Sequence, residues 1–185
     1  MPSKFSPSSE LGEAALTQIA MRTLDHKLLT AHDNTADGTF GRHVILHNQL
    51  RHENALIDLV AIAENFTSRR LLELRPSLDD GDVFNWEKRR KAWDKHAGVD
   101  ITKITSDWGR LLGFIEARNA LQHGLGRLTE RQLISSHRDK IFASLKAAEI
   151  KLTGDRVYID NESVSNCRRV CGNFVIALDN AAQLT

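Results

Sequence analysis

The sequence predicts an all-α protein: a bundle of five to six helices with one small β-hairpin before the last helix. Through most of the chain, apolar residues recur at helical rather than alternating spacing. Turn-forming residues gather in short clusters between these segments, and β-prone residues are confined to a stretch around Gly154. We therefore expect residues 10–185 to form one helical domain. Residues 1–9, with two prolines and four serines, are predicted to be a disordered tail.

The first helix is predicted over residues 11–31, with Ser8 or Ser9 as a possible cap. Its apolar residues recur at intervals compatible with one helical face. They are Leu11, Ala14, Ala15, Ile19, Leu24, Leu28 and Leu29. After a turn-forming cluster at residues 33–38, a long second helix is predicted over residues 39–74, where Pro76 stops it.

A shorter helix is predicted over residues 85–96, and we expect its tryptophans, Trp86 and Trp93, to pack. The basic run between them, residues 88–91, is most simply a solvated face, with a nucleic-acid contact as the alternative. Further helices are predicted over residues 104–123, 129–152 and 163–183. The first of these is closed by glycine, and the second begins with a capping-box-like sequence, Thr129 to Gln132.

Composition limits the classes of function. The charged fraction of 26% and the hydrophobic fraction of 41% are ordinary for a folded domain, which argues against wholesale disorder and against a membrane protein. A formal net charge of +1 argues against bulk coating of nucleic acid but leaves room for a local basic cleft. We found no segment typical of a signal peptide or a transmembrane helix, so we expect a cytoplasmic protein.

The two cysteines, Cys167 and Cys171, lie one helical turn apart in the last predicted helix. Side chains on one regular helix rarely reach disulfide geometry, so we expect two buried thiols. No further metal ligands lie near them in the sequence. His43 and His47 are also one turn apart, but Val44 stands where a zinc protease motif needs glutamate, so a polar helix face is the simpler interpretation.

The strongest candidate site lies at the end of the helix predicted over residues 104–123, where Arg118, Asn119 and His123 occur together. Arginine offers a permanent planar cation that suits phosphate, and histidine can take or give a proton near neutral pH. Asn119 lies one turn before His123 and could support either group. Because residues five apart on a straight helix are offset by about 140°, either the helix loosens at His123 or two copies of it face each other.

Residues 118–123, late in a long helix of an all-α chain, resemble the Arg-polar-x3-His motif of the HEPN superfamily. The resemblance extends over nearly the whole chain from about Leu11. It includes the long second helix, Trp108 ahead of the motif, the glycine-containing segment after the histidine, and the hairpin before the last helix. The resemblance implies a helical bundle that dimerises around the motif.

The resemblance also implies a metal-independent endoribonuclease without a cofactor, used in toxin–antitoxin, phage-defence or RNA-processing systems. His123 would be the general acid or base, Arg118 the phosphate clamp and Asn119 a supporting residue. A cognate antitoxin or another partner protein would be expected beside RNA. HEPN proteins paired with a nucleotidyltransferase commonly carry tyrosine two residues after the histidine, whereas this chain has Leu125, so that particular pairing is not expected.

Arg127 and Arg131, just past the motif, could form a basic rim for RNA, and so could the pairs at residues 69–70 and 168–169. Two alternatives remain open at this point. In a catalytically silent HEPN module, the dimer would bind a protein or nucleotide and the motif would be buried. In a purely structural interpretation, Arg118 pairs with Glu116 or another acidic neighbour and His123 caps its helix.

Overall fold

A computed structural model describes residues 7, 9–33, 41–134 and 136–184, with the backbone alone at residues 31–33 and 41–46. Within these residues the chain forms seven α-helices and one two-stranded hairpin. They are α1 (Glu10–Asp33), α2 (Gly41–Leu74), α3 (Trp86–Ala92), α4 (Trp108–His123), α5 (Glu130–Ile134), α6 (Arg138–Ala147), β1 (Lys151–Thr153), β2 (Arg156–Tyr158) and α7 (Asn161–Ala182). The predicted all-α class is confirmed.

The two central helices, α2 and α7, run parallel to each other, since an ion pair joins Arg70 near the end of α2 to Asp179 near the end of α7. Helix α1 runs antiparallel to both, because Ser9 at its start bonds Asp179 and His26 near its end bonds His52 of α2.

Helix α4 also packs on α2 and α7, with α6 against it. Helices α1 and α4 meet α2 on different faces, because Arg22 of α1 pairs with Asp58 and Arg118 of α4 pairs with Glu64, six residues further along α2. They therefore lie on opposite sides of the α2–α7 pair.

Both tryptophans of the third predicted helix pack, as expected, but in different places. Trp86 packs edge-on against Trp108 and Phe174, with ring centroids 6.0 Å away in each case. Trp93 is fully buried and donates its indole N–H to the Thr67 carbonyl at 3.0 Å. It begins a π-helical turn, Trp93–Ala97, that continues directly from α3.

The single apolar face predicted for α1 is wrong in its second half. Ala15 and Ile19 lie in the core, whereas Leu24, Leu28 and Leu29 are exposed. Beyond Ile19 the inward positions are held by the polar residues Thr23 and His26, both buried. Apolar spacing alone did not distinguish these two faces because both follow the same helical period.

The single helix predicted over residues 129–152 is also wrong, since the chain forms α5 and α6 with a turn at Ser136 and His137. The predicted capping box is confirmed: Gln132 N–H donates to Thr129 Oγ1 and Thr129 N–H donates to Gln132 Oε1. Packing on α4 places both helices. Gln132 Nε2 bonds the Glu116 side chain at 2.6 Å, and a Cβ on Gly113 would lie 2.1 Å from the Ser144 carbonyl oxygen of α6.

The predicted hairpin and last helix are confirmed. Strands β1 and β2 pair antiparallel, with Lys151 opposite Tyr158, and Gly154 in the turn has φ +63. Asp160 and Ser163 form a capping box at the start of α7. Cys167 and Cys171 are the expected buried free thiols, with their sulfurs 3.8 Å apart, and burial raises the pKa of Cys167.

Two sequence-based predictions concern segments that the structure describes only in small part. The turn predicted at residues 33–38 and most of the tail predicted at residues 1–9 lie outside the described residues. Ser9 is described, and its hydroxyl donates to Asp179 Oδ1 at 2.6 Å. In the described part of the chain, no helix is long and apolar enough to cross a membrane.

Candidate functional site

The candidate motif lies on the last two turns of α4, and the helix continues without a break through His123. Gly124 ends it, with its N–H donating to the Ala120 carbonyl at 2.9 Å. The helix is thus regular from Arg118 to His123, and it departs from helical geometry only at Gly124. Arg118 and His123 stay on different faces of α4.

Arg118 is anchored on the central helix α2. Its guanidinium donates through Nη2 to Glu64 in a very short contact and through Nη1 to Gln122 Oε1 at 3.1 Å. Only 16% of its side chain is exposed. Glu116, the acidic partner considered from the sequence, instead accepts from Gln132. Arg118 is thus held by a residue 54 positions earlier in the chain.

The Glu64 carboxylate also pairs with a second arginine, Arg89 of α3, whose Nη1 lies 3.3 Å from Glu64 Oε1. Arg89 donates from Nε to the Ser68 hydroxyl at 2.7 Å, and its guanidinium lies 5.3 Å from the Trp86 ring centroid. Burial lowers the pKa of Arg89, and the Glu64 charge opposes that shift. Arg89, Glu64 and Arg118 form what we call the Arg–Glu–Arg cluster, in which two cations share one anion.

Two buried donors beside the Arg–Glu–Arg cluster have no acceptor among the described residues: Arg118 Nε and Trp86 Nε1. A buried donor without a partner costs about 1–3 kcal/mol. An anion with several oxygen acceptors would relieve that cost and would also balance the second arginine. The cluster therefore carries an excess of one positive charge and, within the described structure, a guanidinium donor without a partner.

His123 and Asn119 complete the predicted motif. His123 is exposed at the end of α4, so solvent and a ligand can reach its imidazole. Asn119 is half-buried, and its side chain makes no hydrogen bond within the described residues. The motif is therefore divided between a largely buried arginine and an exposed histidine.

The predicted basic rim is only partly available. Arg131 is exposed on α5. Arg127 is exposed but pairs with Asp155 at 2.7 Å.

The arginine pairs considered as extensions of that rim differ in accessibility. Arg70 is buried in an ion pair with Asp179, and Arg169 lies 3.4 Å from Asp107. Arg69 and Arg168 are exposed.

Sequence reasoning missed Glu64 and misjudged Arg89. The interpretation of residues 88–91 as a solvated face is wrong for Arg89, which is buried while its three neighbours in the run are exposed. One signal was available, since Arg89 follows Trp86 by three residues and so shares its helical face. For Glu64 the sequence offered only a carboxylate next to Ala63 in an apolar stretch. No neighbouring residue indicated that Arg89 and Arg118 would be its partners.

The histidines considered as metal ligands are arranged differently. His47 is exposed, His52 hydrogen-bonds His26 with ring nitrogens 2.7 Å apart, and the side chain of His43 lies outside the described residues. Across the described ranges, no group of three or more His, Cys, Asp and Glu side chains could hold a metal ion.

The resemblance to HEPN domains rests on the residues of α4 and on the order of the elements around it. Among known proteins, no family model, no curated protein and no solved structure matches the chain. The functional assignment accordingly depends on the geometry of the α4 motif and of the Arg–Glu–Arg cluster.

Proposed function

We propose that this protein is a metal-independent endoribonuclease of HEPN type, acting in the cytoplasm in a toxin–antitoxin, phage-defence or RNA-processing system. The supporting observation is the Arg–Glu–Arg cluster, where two guanidinium groups share one carboxylate beside unpartnered buried donors. Arg118 of this cluster lies on the same helix as the exposed His123, within its last two turns.

Each residue of the motif has a separate task. Arg118 binds a non-bridging oxygen of the scissile phosphate and stabilises the charge that develops there. His123 exchanges a proton with the attacking ribose hydroxyl or with the leaving oxygen. Asn119 supplies a further hydrogen bond from the neighbouring position of α4. No step requires a metal ion or a cofactor.

The ion pair with Glu64 orients Arg118 without neutralising the cluster. With Arg89 and Arg118 both charged, one carboxylate leaves an excess of one positive charge for a phosphate. A guanidinium held by Glu64 and Gln122 also loses little conformational freedom when it binds substrate. Arg131, and Arg127 to a lesser degree because Asp155 pairs with it, extend the basic surface towards RNA.

The offset between Arg118 and His123 on a continuous helix is best resolved by two copies. A symmetric homodimer through α4 would bring the His123 of one subunit towards the Arg118 of the other. The resulting cleft would hold both motifs, as the HEPN resemblance implies.

Cleavage assays with matched variants test the proposed function. Wild type, Arg118→Ala and His123→Ala are incubated with total and structured RNAs in the presence of a chelator. We expect at least about a hundredfold loss of cleavage in both variants, because each removes a group that acts on the transition state. Arg22→Ala and His47→Ala, at exposed positions on α1 and α2, are the controls and should cleave as wild type does.

Circular dichroism establishes that every variant is folded. A folded wild type that cuts none of these RNAs, or cleavage that persists in both motif variants, contradicts the proposal.

A catalytically silent HEPN module is the second candidate, and one observation favours it. Arg118 exposes only 16% of its side chain and is engaged by Glu64 and Gln122, as a structural arginine would be. This candidate predicts binding of a nucleotide or a partner protein without RNA cleavage. Titration of labelled nucleotide into a cleavage-negative wild type would separate the two candidates.

A further inference from the structure

Helix α1 carries a stripe of exposed apolar side chains on the side opposite its buried face. The exposed fractions are 61% for Met21, 57% for Leu24 and 62% for Leu28. Their spacing of three and four residues places them along one line on the helix. Towards the start of α1 the same line passes through Thr17 and Ala14, both exposed. We call these five residues the α1 stripe.

The inward face of α1 is already occupied. Ala15, Ile19, Thr23 and His26 are buried against α2 and α7, the two helices on which α1 packs. No element of the described chain covers the α1 stripe, as the exposed fractions show. Three large aliphatic side chains in line on a water-facing helix are typical of an interaction surface.

Side-chain size along the α1 stripe favours one orientation for a partner helix of the same sequence. The first half holds the small residues Ala14 and Thr17, and the second half holds Leu24 and Leu28. In an antiparallel pair, the large half of one helix lies over the small half of the other. A parallel pair would place leucine against leucine at one end and leave a gap at the other.

Charge along the edge of the α1 stripe favours the same orientation. Glu13 and Lys27 are exposed, lie seven residues either side of Ala20, and make no ion pair within the described residues. An antiparallel pair brings Glu13 of each helix to Lys27 of the other, whereas a parallel pair brings like charges together. The helix dipoles also oppose each other favourably in the antiparallel arrangement.

We propose that a second copy of this chain docks on the α1 stripe, antiparallel, with the two-fold axis near Met21. This interface lies across the α2–α7 pair from α4, so it leaves His123 and the Arg–Glu–Arg cluster uncovered. It is separate from the α4 dimer of the proposed function and does not depend on RNA cleavage. Both interfaces together would give an assembly larger than a dimer.

Molar mass measured by light scattering across a concentration series tests the docking. Wild type should associate, and Leu24→Glu should raise the dissociation constant about a hundredfold, because a buried glutamate without a partner is costly at both symmetric positions. Leu125→Glu is the matched control, since Leu125 is 90% exposed and follows the α4 motif. It should leave association through α1 unchanged. All variants should keep the wild-type melting behaviour, because the changes are on the surface.

Charge reversal tests the antiparallel orientation. Glu13→Lys and Lys27→Glu should each weaken self-association about threefold to tenfold by placing like charges together. Mixing these two single variants should restore association, because each chain then supplies the charge that the other lacks.

A monomeric wild type overturns the proposal, and so does a wild-type dimer that Leu24→Glu leaves intact. Failure of the mixed variants to associate better than either alone would exclude the antiparallel arrangement. A dimer broken only by Leu125→Glu would assign association to α4 instead. A monomeric wild type would also count against the α4 homodimer, whereas the outcomes for Leu24→Glu and for the mixed variants concern α1 alone.

Discussion

Two clusters on α2 combine arginine with carboxylate, but they are built for different purposes. In the first, Asp179 is fully buried and accepts from the Ser9 backbone N–H at 2.7 Å and from the Ser9 hydroxyl. Arg70 Nε lies 2.9 Å from the same carboxylate, and Arg70 Nη1 pairs with Glu73 at 2.6 Å. We call this group the Asp179 clamp. The second is the Arg–Glu–Arg cluster.

The difference lies in the balance of charge. In the Asp179 clamp one buried arginine faces one buried carboxylate, while Glu73 is exposed, and its contacts join the start of α1 to the ends of α2 and α7. The Arg–Glu–Arg cluster has two arginines for one carboxylate. A buried group with balanced charge stabilises the fold as it is. In the proposed function, the surplus cation of the Arg–Glu–Arg cluster binds the phosphate of the RNA.

Removing the anion from the Asp179 clamp should have the largest effect on stability. Asp179→Ala removes the buried partner of Arg70, which keeps only the exposed Glu73, and should lower the free energy of unfolding by about 3–5 kcal/mol, measured by urea denaturation. Asp58→Ala is the control, since the Asp58–Arg22 pair is about half exposed and should change stability by less than about 1 kcal/mol. A similar small loss in both variants would show that the clamp is not a stabilising feature.

A methyl group inserted next to the clamp should have the next largest effect. A Cβ on Gly12 would lie 2.6 Å from Asp179 Oδ2, so Gly12→Ala should cost about 2 kcal/mol despite alanine's better helix propensity. Gly109→Ala in α4 meets nothing within 4 Å and should be neutral or stabilising by up to about 1 kcal/mol. Thermal unfolding of both variants gives the comparison. Equal melting temperatures would contradict the tight approach of α1 to Asp179.

Removing the anion from the Arg–Glu–Arg cluster should cost less, and added phosphate should offset part of the loss. Glu64→Gln leaves Arg89 and Arg118 without a shared charge and should lower stability by about 2 kcal/mol. Phosphate should then raise the melting temperature of the variant more than that of wild type, because it can occupy the position of the carboxylate. Glu73→Gln alters the exposed carboxylate of the clamp and should show no such gain. An equal response to phosphate in both variants would remove the case for an anion site.

Lowering the pH should destabilise the histidine pair between α1 and α2, formed by His26 and His52. We expect this to be the smallest of the four stability effects. Burial, helped by His52 and Lys27, lowers the pKa of His26 to about 4. Between pH 6.5 and pH 4 the unfolded chain therefore binds a proton at this position that the folded chain does not bind.

Stability contributed by neutral His26 is present above pH 6.5 and is lost as the pH falls towards 4. This pKa change corresponds to at most about 3 kcal/mol. We expect about 1 kcal/mol, because the partner ring of His52 is only half-buried and solvent screens the charge.

Urea denaturation across that pH range, with His26→Gln as the comparison, measures this contribution. The variant should have a flatter dependence on pH, since its side chain does not titrate. Asp160, whose pKa is about 2, loses its contribution mostly below this window. The same slope in wild type and variant would mean that other groups govern the acid response.

Much of the fold could be predicted because its signals are local. The capping box at Thr129 and Gln132, the hairpin around Gly154 and the end of α2 before Pro76 each depend on residues within a few positions of one another. Local sequence signals did not predict that residues 129–152 divide into two helices. Apolar spacing continues across the turn, and it is contact with α4 that places α5 and α6.

The candidate site likewise has features set by local sequence and features set by contacts between distant residues. The sequence by itself determined that Arg118, Asn119 and His123 share the end of one helix, because helical order is encoded by neighbouring residues. Only the tertiary structure decided that Arg118 meets Glu64, that Arg89 turns inward to the same carboxylate, and that Leu24 and Leu28 face solvent. Helix periodicity fixes which residues share a face. Packing between distant helices decides which face is buried and which charges meet.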